Sequence, residues 1–332
     1  MKKNAYNYIL LIILILTFLL SFAIGRYPIK IHTLFKVFFS KIFPIERDWS
    51  NTIETVIFQI RLPRIIAGLL VGAALSVSGA VYQGMFKNPL VSPDILGVSS
   101  GAAFGASLAI YLSFNRVGIQ ITSFVFGLFA VFLVYIISRK IKEDPIISLV
   151  ITGVLVGSIF TSLTSLIKYL ADTENKLPTI TFWLMGSLSS INSRDLKAAG
   201  IPIILGMIPL FILKWRLNVL SLNEDEAKTL GLDTDKIRLI VIISSTLITA
   251  AAVSISGMIG WIGLVIPHLG RLIVGPNYEI LLPSTVLLGG TYLLLIDNIA
   301  RGLTTVEIPL GILTSLVGAP FFLILLLRSK RR

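Results

Sequence analysis

Long apolar runs recur along the whole chain, and short polar segments separate them. Most runs approach the ~20 residues that an α-helix needs to cross the hydrocarbon core of a bilayer. The pattern predicts an all-α, polytopic membrane protein of about ten spans, with residues 1–332 forming a single membrane domain. The weakest run is Met258–Leu272, which is rich in glycine and contains Pro267. The predicted spans are Tyr8–Gly25, two runs within Arg61–Gly105, Ile119–Ser138, Ile146–Leu170, Leu196–Leu213, Ile237–Ser256, Met258–Leu272, Ile280–Ile296 and Ile308–Leu327.

Small residues recur at every fourth position in both runs of Arg61–Gly105 and again after Ile146. Residues four apart share one face of a helix. Such a stripe lets a second backbone approach closely in a membrane, and this packing role is favoured over the lining of a path. The stripes include Gly68, Gly72, Gly97, Gly101, Gly153 and Gly157. A tight hairpin is predicted between the first two runs, where the chain carries Asn88, Pro89, Ser92 and Pro93.

Composition supports a membrane protein and excludes several other classes. Of the 332 residues, 55% are hydrophobic and 14% are charged, and the mean hydropathy is +0.89. Soluble domains carry about 25% charged residues, so too few charges remain here to cover a water-exposed surface. The absence of cysteine excludes disulfides and thiolate metal sites. The net charge of +12 comes mostly from basic residues that flank apolar runs, which favours anchoring to the bilayer over nucleic-acid binding.

Positive charge beside the spans predicts the orientation. An even number of spans places both termini on one side of the membrane. Basic residues mark that side as the cytoplasm, at Lys2 and Lys3, within Arg139–Lys142 and in the C-terminal cluster from Arg328. We expect Arg26–Gln59 to be an ordered segment on the outer face. A signal peptide is the alternative for the first run, but that run is longer than a usual signal core.

No enzyme signature is present, and we expect no catalytic residue, metal site or cofactor. A phosphate-binding loop of the G-x-x-x-x-G-K-[ST] type is missing, and only His32 and His268 are available as imidazoles. Asp297 follows an apolar run and stands near Arg301. A local ion pair at the outer interface is the favoured interpretation there, over a functional charge inside a span.

The longest polar loop, Lys214–Arg238, predicts a short helix. Asn223 is a good N-cap, acidic residues fill the first turn, and Gly231 ends the helix. Two turns are too short to be stable alone. The helix therefore packs either on its own membrane domain or on a partner, and the residues leave both possibilities open.

Several long motifs resemble the FecCD/BtuC family, the permease subunits of type II ABC importers for iron-siderophore, haem and cobalamin-type substrates. They occur in order along essentially the whole chain. The motifs are RLPR at 61–64, GAALSVSGAVYQGMFKNPLVSPDILGVSSGA at 72–102, GLD at 231–233, GWIGLVIPHLGR at 260–271, LLPS at 281–284 and PLGILTSLVGAPFF at 309–322.

The resemblance implies a homodimer of ten-helix subunits in the cell membrane, with a path along the two-fold axis. Two copies of a separate cytoplasmic ATPase would drive it, and an extracytoplasmic binding protein would deliver the substrate. The implied ATPase-coupling residues are Glu224, Asp225, Glu226, Ala227, Leu230 and Gly231. The implied cytoplasmic gate comprises Asn88, Leu90, Ile146 and Ile147, although polar residues are common in the family at the last two positions. The implied docking residues for the binding protein are Arg61 and Arg301.

The residues leave other functions open. A molybdate or tungstate importer is the alternative within the same class, since related permeases serve those oxyanions. The partner could also be a paralogous permease in place of a second copy. A stand-alone channel or secondary transporter predicts paired intramembrane charges or ion sites in broken helices, and the sequence offers few.

Overall fold

The computed structural model describes residues 2–25, 27–44, 46–141, 144–222 and 224–329, and this part of the chain is helical without strands. A π-helical turn, Val56–Arg61, leads into α4, and a 3₁₀ turn, Pro93–Leu96, leads into α5. The α-helices are α1 (Lys2–Ala23), α2 (Ile31–Phe39), α3 (Asn51–Thr55), α4 (Leu62–Met85), α5 (Val98–Tyr111), α6 (Arg116–Ser138), α7 (Pro145–Leu170), α8 (Lys176–Leu184), α9 (Ser193–Ile212), α10 (Lys214–Leu220), α11 (Glu224–Thr229), α12 (Thr234–Ser256), α13 (Ile262–Val274), α14 (Tyr278–Gly302) and α15 (Leu310–Ser329).

The ten predicted spans are confirmed as apolar helices. Within the described residues, seven helices are long and apolar enough to cross a membrane, and three more are apolar but shorter. The short ones lie at Val98–Tyr111, Ile262–Val274 and Leu310–Ile324. Two of them are short for a local reason, since an irregular segment precedes α5 and another, with Trp261 at a positive φ of 70°, precedes α13. The side of the membrane on which the termini lie stays a prediction.

Helix α4 lies at the centre of the bundle and packs against α9, α12, α13 and α14. Its small residues allow two of these approaches. A Cβ at Gly72 would overlap the carbonyl oxygen of Gly289 in α14, and a Cβ at Gly79 would overlap that of Gly263 in α13. Backbones at this distance make van der Waals contact along the helices, which is how membrane helices associate without a hydrophobic driving force.

The 3₁₀ turn meets the start of α13 beside α4. The ring of Pro93 packs against Gly263, which has no side chain to obstruct it. Gln83 of α4 satisfies the nearby backbone, because its amide nitrogen lies 3.2 Å from the oxygen of Val91 and 3.3 Å from that of Gly263. Arg271 donates to the Gln83 side-chain oxygen in turn. Irregular backbone is tolerated at membrane depth only where such protein groups cover it.

The segment before α4 forms a separate small core on the side of the bundle where α1 ends. Its members come from α1, α2, the π-helical turn, α4 and α14, so the segment is tied to the membrane helices. These buried residues are Phe22, Ile29, Leu34, Val37, Trp49, Ile57, Ile65 and Leu294. The predicted order in this segment follows from that packing.

Candidate functional site

One face of α7 is exposed along its length, and small hydroxyl residues stand there among large apolar ones. The exposed apolar residues are Ile147, Ile151, Val154, Leu155, Ile159 and Leu166. The exposed hydroxyl residues are Ser158, Thr161, Ser162 and Ser165. The Ser158 and Thr161 hydroxyls each donate to a backbone oxygen four residues earlier, at 2.8 Å, so their lone pairs remain available.

A polar groove of about 510 Å³ opens on this face. Its walls are α7, the start of α5 and the 3₁₀ turn, and hydroxyls, glycine backbone, one carboxylate and the apolar side chains of Ile95 and Val154 line it. The lining residues are Ser92, Asp94, Ile95, Gly97, Ser100, Gly153, Val154, Gly157, Ser158, Thr161 and Ser162. None of these described lining residues is a lysine, arginine or histidine.

Three glycines shape the groove. Gly97 ends the 3₁₀ turn at a φ of 77°, a conformation that other residues rarely adopt. A Cβ at Gly153 would overlap the carbonyl oxygen of Ile95, so the turn can rest directly on α7. Gly157 lies against Gly97 and Ser100, where an added Cβ would make ordinary van der Waals contact, at 3.6 Å from the Ser100 hydroxyl. The remaining stripe residue of α5, Gly101, instead packs against the backbone of Phe126 in α6. The small-residue stripes therefore serve both helix packing and the groove.

The sequence interpretation missed Asp94. It treated the hairpin turn as a helix breaker and did not weigh the carboxylate inside it. Asp94 is exposed to the groove, and its carboxylate accepts a hydrogen bond from the Ser99 hydroxyl. The position of Asp94 in the sequence could have identified it. The turn between the two membrane spans is too short to reach far into solvent, and an ionisable residue in such a place is a functional candidate by default.

A buried ionic cluster joins the start of α4 to the end of α14. The guanidinium group of Arg64 contacts Asp297 at 2.8 Å and Glu307 at 2.9 Å, and Arg301 contacts Asp297 at 3.1 Å. The side chain of Asp297 is fully buried, whereas that of Glu307 is 24% exposed. The expected local pair of Asp297 with Arg301 is present. Asp297 also pairs with Arg64, which comes from a distant part of the chain.

The structure places both predicted docking arginines inside the subunit. Arg61 is 4% exposed and donates to the backbone oxygens of Phe22 and Tyr27. Arg301 is 6% exposed and donates to the Ile24 oxygen at 3.0 Å. Their guanidinium groups hold the end of α1 against α4 and α14. In this conformation both side chains are buried inside the subunit, and their role in docking stays a prediction.

The predicted loop helix corresponds to α11. Ala227 is buried, and Leu230 is 58% exposed. Asp225 and Glu226 are exposed as well. Gly231 ends the helix at a φ of 76°. The helix thus packs on its own domain through Ala227 and leaves its acidic side open. The predicted cap Asn223 and the side chain of Glu224 lie outside the described residues.

Comparison with known proteins decides the family. The sequence pattern of the FecCD transport family matches residues 13–328. The chain belongs to the FecCD transport family. Membership makes it the permease subunit of an ABC importer, a multi-pass protein of the cell membrane without catalytic activity of its own. An ATPase subunit and a substrate-binding protein are the partners that such a permease implies.

Individual FecCD relatives differ in the cargo for which they are named. The chain is 44% identical to a molybdate import system permease of Haemophilus influenzae over 334 aligned residues, covering all of this chain and 98% of the relative. It is 42% identical to a probable iron chelatin transport permease of Helicobacter pylori, covering 86% of each. It also resembles the solved structure of a metal-chelate type ABC transporter in an inward-facing conformation, with 43% identity, a TM-score of 0.88 and coverage of 98% and 99%.

The gate residues implied by the FecCD resemblance lie at two helix ends. Asn88 and Leu90 are exposed in the hairpin turn, where the Asn88 side chain accepts a hydrogen bond from the backbone N–H of Leu90 at 2.9 Å. Ile146 and Ile147 occupy the first turn of α7. Ile147 is 52% exposed, whereas Ile146 is partly covered. A role in gating stays a prediction for all four.

Proposed function

We propose that two copies of this permease, facing each other across a two-fold axis, form the import path for an iron-siderophore, haem or cobalamin-type substrate. The observation that carries the proposal is the polar groove on the exposed face of α7. Lipid tails offer no hydrogen bonds to such a surface, so water, cargo or a second subunit is its suitable neighbour. The apolar residues of the same face, including Ile151 and Leu155, would then pack against the second copy.

The energy for uphill transport comes from the ATPase in this proposal. The exposed side of α11, with Asp225, Glu226 and Leu230, is the surface that the ATPase would hold, while Ala227 anchors the helix to the membrane domain. A docked partner can then shift the path between outward and inward access, because it binds the two conformations with different affinity. The binding protein would dock at the opposite face and supply most of the selectivity.

A molybdate-type oxyanion is the second candidate cargo, and the 44% identity to a molybdate permease over the whole chain favours it. The fold is shared between the two cargo classes, so overall similarity does not separate them. Binding of the cargo by the partner protein separates them directly.

Vesicle transport tests the proposal. The permease, its ATPase and its binding protein would be reconstituted together, and uptake of ferric hydroxamate, haem, cobalamin and molybdate would be measured with and without ATP. We expect ATP-dependent uptake of a metal chelate that requires all three components. Uptake of molybdate alone would select the second candidate, and movement of cargo by the permease by itself would refute an importer that depends on an ATPase.

A further inference from the structure

Asp94 stands alone as a charge in the groove. Among the described residues that line it, no other is ionisable, and the hydrogen bond to the Asp94 side chain comes from the neutral Ser99 hydroxyl. The turn that carries Asp94 rests on Gly153, eight residues into α7. At 1.5 Å per residue that places the turn about 12 Å from the end of the helix, within the depth of the bilayer.

Local structure alone does not require this charge. The N–H of Asp94 donates to the Ser92 hydroxyl at 3.3 Å, which caps the 3₁₀ turn through backbone and serine. The Asp94 carboxylate also accepts a hydrogen bond from the Ser99 hydroxyl, but the side-chain oxygen of an asparagine would accept that hydrogen bond equally. An ionised group at membrane depth is expensive, so a position that a neutral amide could fill points to a use for the charge itself.

We propose that Asp94 selects cargo by charge, so that the path favours metal chelates that are neutral or cationic and disfavours oxyanions such as molybdate. This inference rests on the proposed function, in which the groove is half of the import path. In the proposed dimer each subunit contributes one carboxylate, and cargo on the axis passes both. The rest of the groove presents hydroxyls, backbone and the apolar side chains of Ile95 and Val154, and none of these prefers either sign of charge.

The expected size of the effect follows from Coulomb's law. For an assumed separation of about 12 Å between carboxylate and cargo, and an effective dielectric constant of about 20, one carboxylate changes the rate of passage of a unit charge about tenfold. Two carboxylates therefore change it by about a hundredfold for each unit of cargo charge. The effect is largest between a cationic chelate and an anionic form of the same chelate.

The test uses the complete transporter, reconstituted with its ATPase and binding protein. The probes are a ferric trihydroxamate with a free amine, the same chelate acetylated to a neutral form, the same chelate succinylated to an anionic form, and molybdate. Initial uptake is divided by the occupancy of the binding protein, so that selection at the outer protein cancels. The variants are Asp94→Asn, Asp94→Glu as the charge-retaining change, and Asp172→Asn as a matched removal of one carboxylate in the exposed loop after α7.

We expect wild type, Asp94→Glu and Asp172→Asn to prefer the cationic over the anionic chelate, and Asp94→Asn to lose at least tenfold of that preference. An unchanged preference in Asp94→Asn would overturn the inference, as would wild-type uptake of molybdate that equals uptake of the cationic chelate. If Asp94→Asn fails to assemble, Asp94→Ser replaces it under the same criteria. Wild type that moves no probe with ATP would instead refute the proposed function.

Discussion

Removing the charge of Asp297 is expected to destabilise the subunit strongly. Its carboxylate is fully buried and contacts Arg64 at 2.8 Å and Arg301 at 3.1 Å. Asparagine has nearly the same shape, so Asp297→Asn leaves the packing in place. It removes the carboxylate partner of the buried Arg301 and leaves Arg64 paired with Glu307. Breaking a buried ion pair from one side costs about 3–5 kcal/mol, because the remaining charge is left uncompensated.

Glu307 provides the matched control in the same cluster. It contacts Arg64 at 2.9 Å, but its side chain is 24% exposed, so water can replace the lost carboxylate. We expect Glu307→Gln to cost about 1 kcal/mol or less. Both substitutions remove a carboxylate from Arg64, but Asp297 is fully buried and also contacts Arg301.

Equilibrium unfolding in mixed micelles measures both effects. The free energy of unfolding would be obtained by titration with a denaturing detergent, with circular dichroism and tryptophan fluorescence as probes. A second substitution, Arg301→Met, should recover part of the loss when added to Asp297→Asn, because it removes the cation that has lost its carboxylate partner. Equal losses for Asp297→Asn and Glu307→Gln would refute the argument from burial.

Three further outcomes follow from the described contacts. Gly79→Ala should prevent recovery of folded protein, since its Cβ would overlap the backbone of Gly263. Gly157→Ala should purify like wild type, because its Cβ would make only ordinary van der Waals contact; size-exclusion chromatography distinguishes the two. Glu226→Lys should lower ATP-driven uptake more than tenfold while leaving the thermal midpoint unchanged, because the side chain is exposed on α11; coupled uptake at the wild-type rate would contradict the docking proposal. Gln83→Ala should lower the free energy of unfolding by about 1–3 kcal/mol, because the backbone oxygens of Val91 and Gly263 lose their side-chain donor. An unchanged midpoint in a thermal melt would argue against that role.

The sequence predicted the elements well because each depended on a local pattern. Ten apolar runs marked ten helices, and Gly231 marked the end of α11. The long motifs identified the family, since they recorded residue order along the whole chain, and the FecCD match covers residues 13–328. These features need no knowledge of which helices meet.

Tertiary structure alone decided which charges are buried and which face the groove. Arg61 and Arg301 looked like surface cations beside the membrane, yet the end of α1 covers both. The sequence indicated a local pair of Asp297 with Arg301, whereas the packing of α4 on α14 adds Arg64 as a partner. Asp94 lines the groove because its turn packs on α7. Hydropathy and spacing report the neighbours within one helix, whereas burial of a charge depends on helices that are distant in sequence.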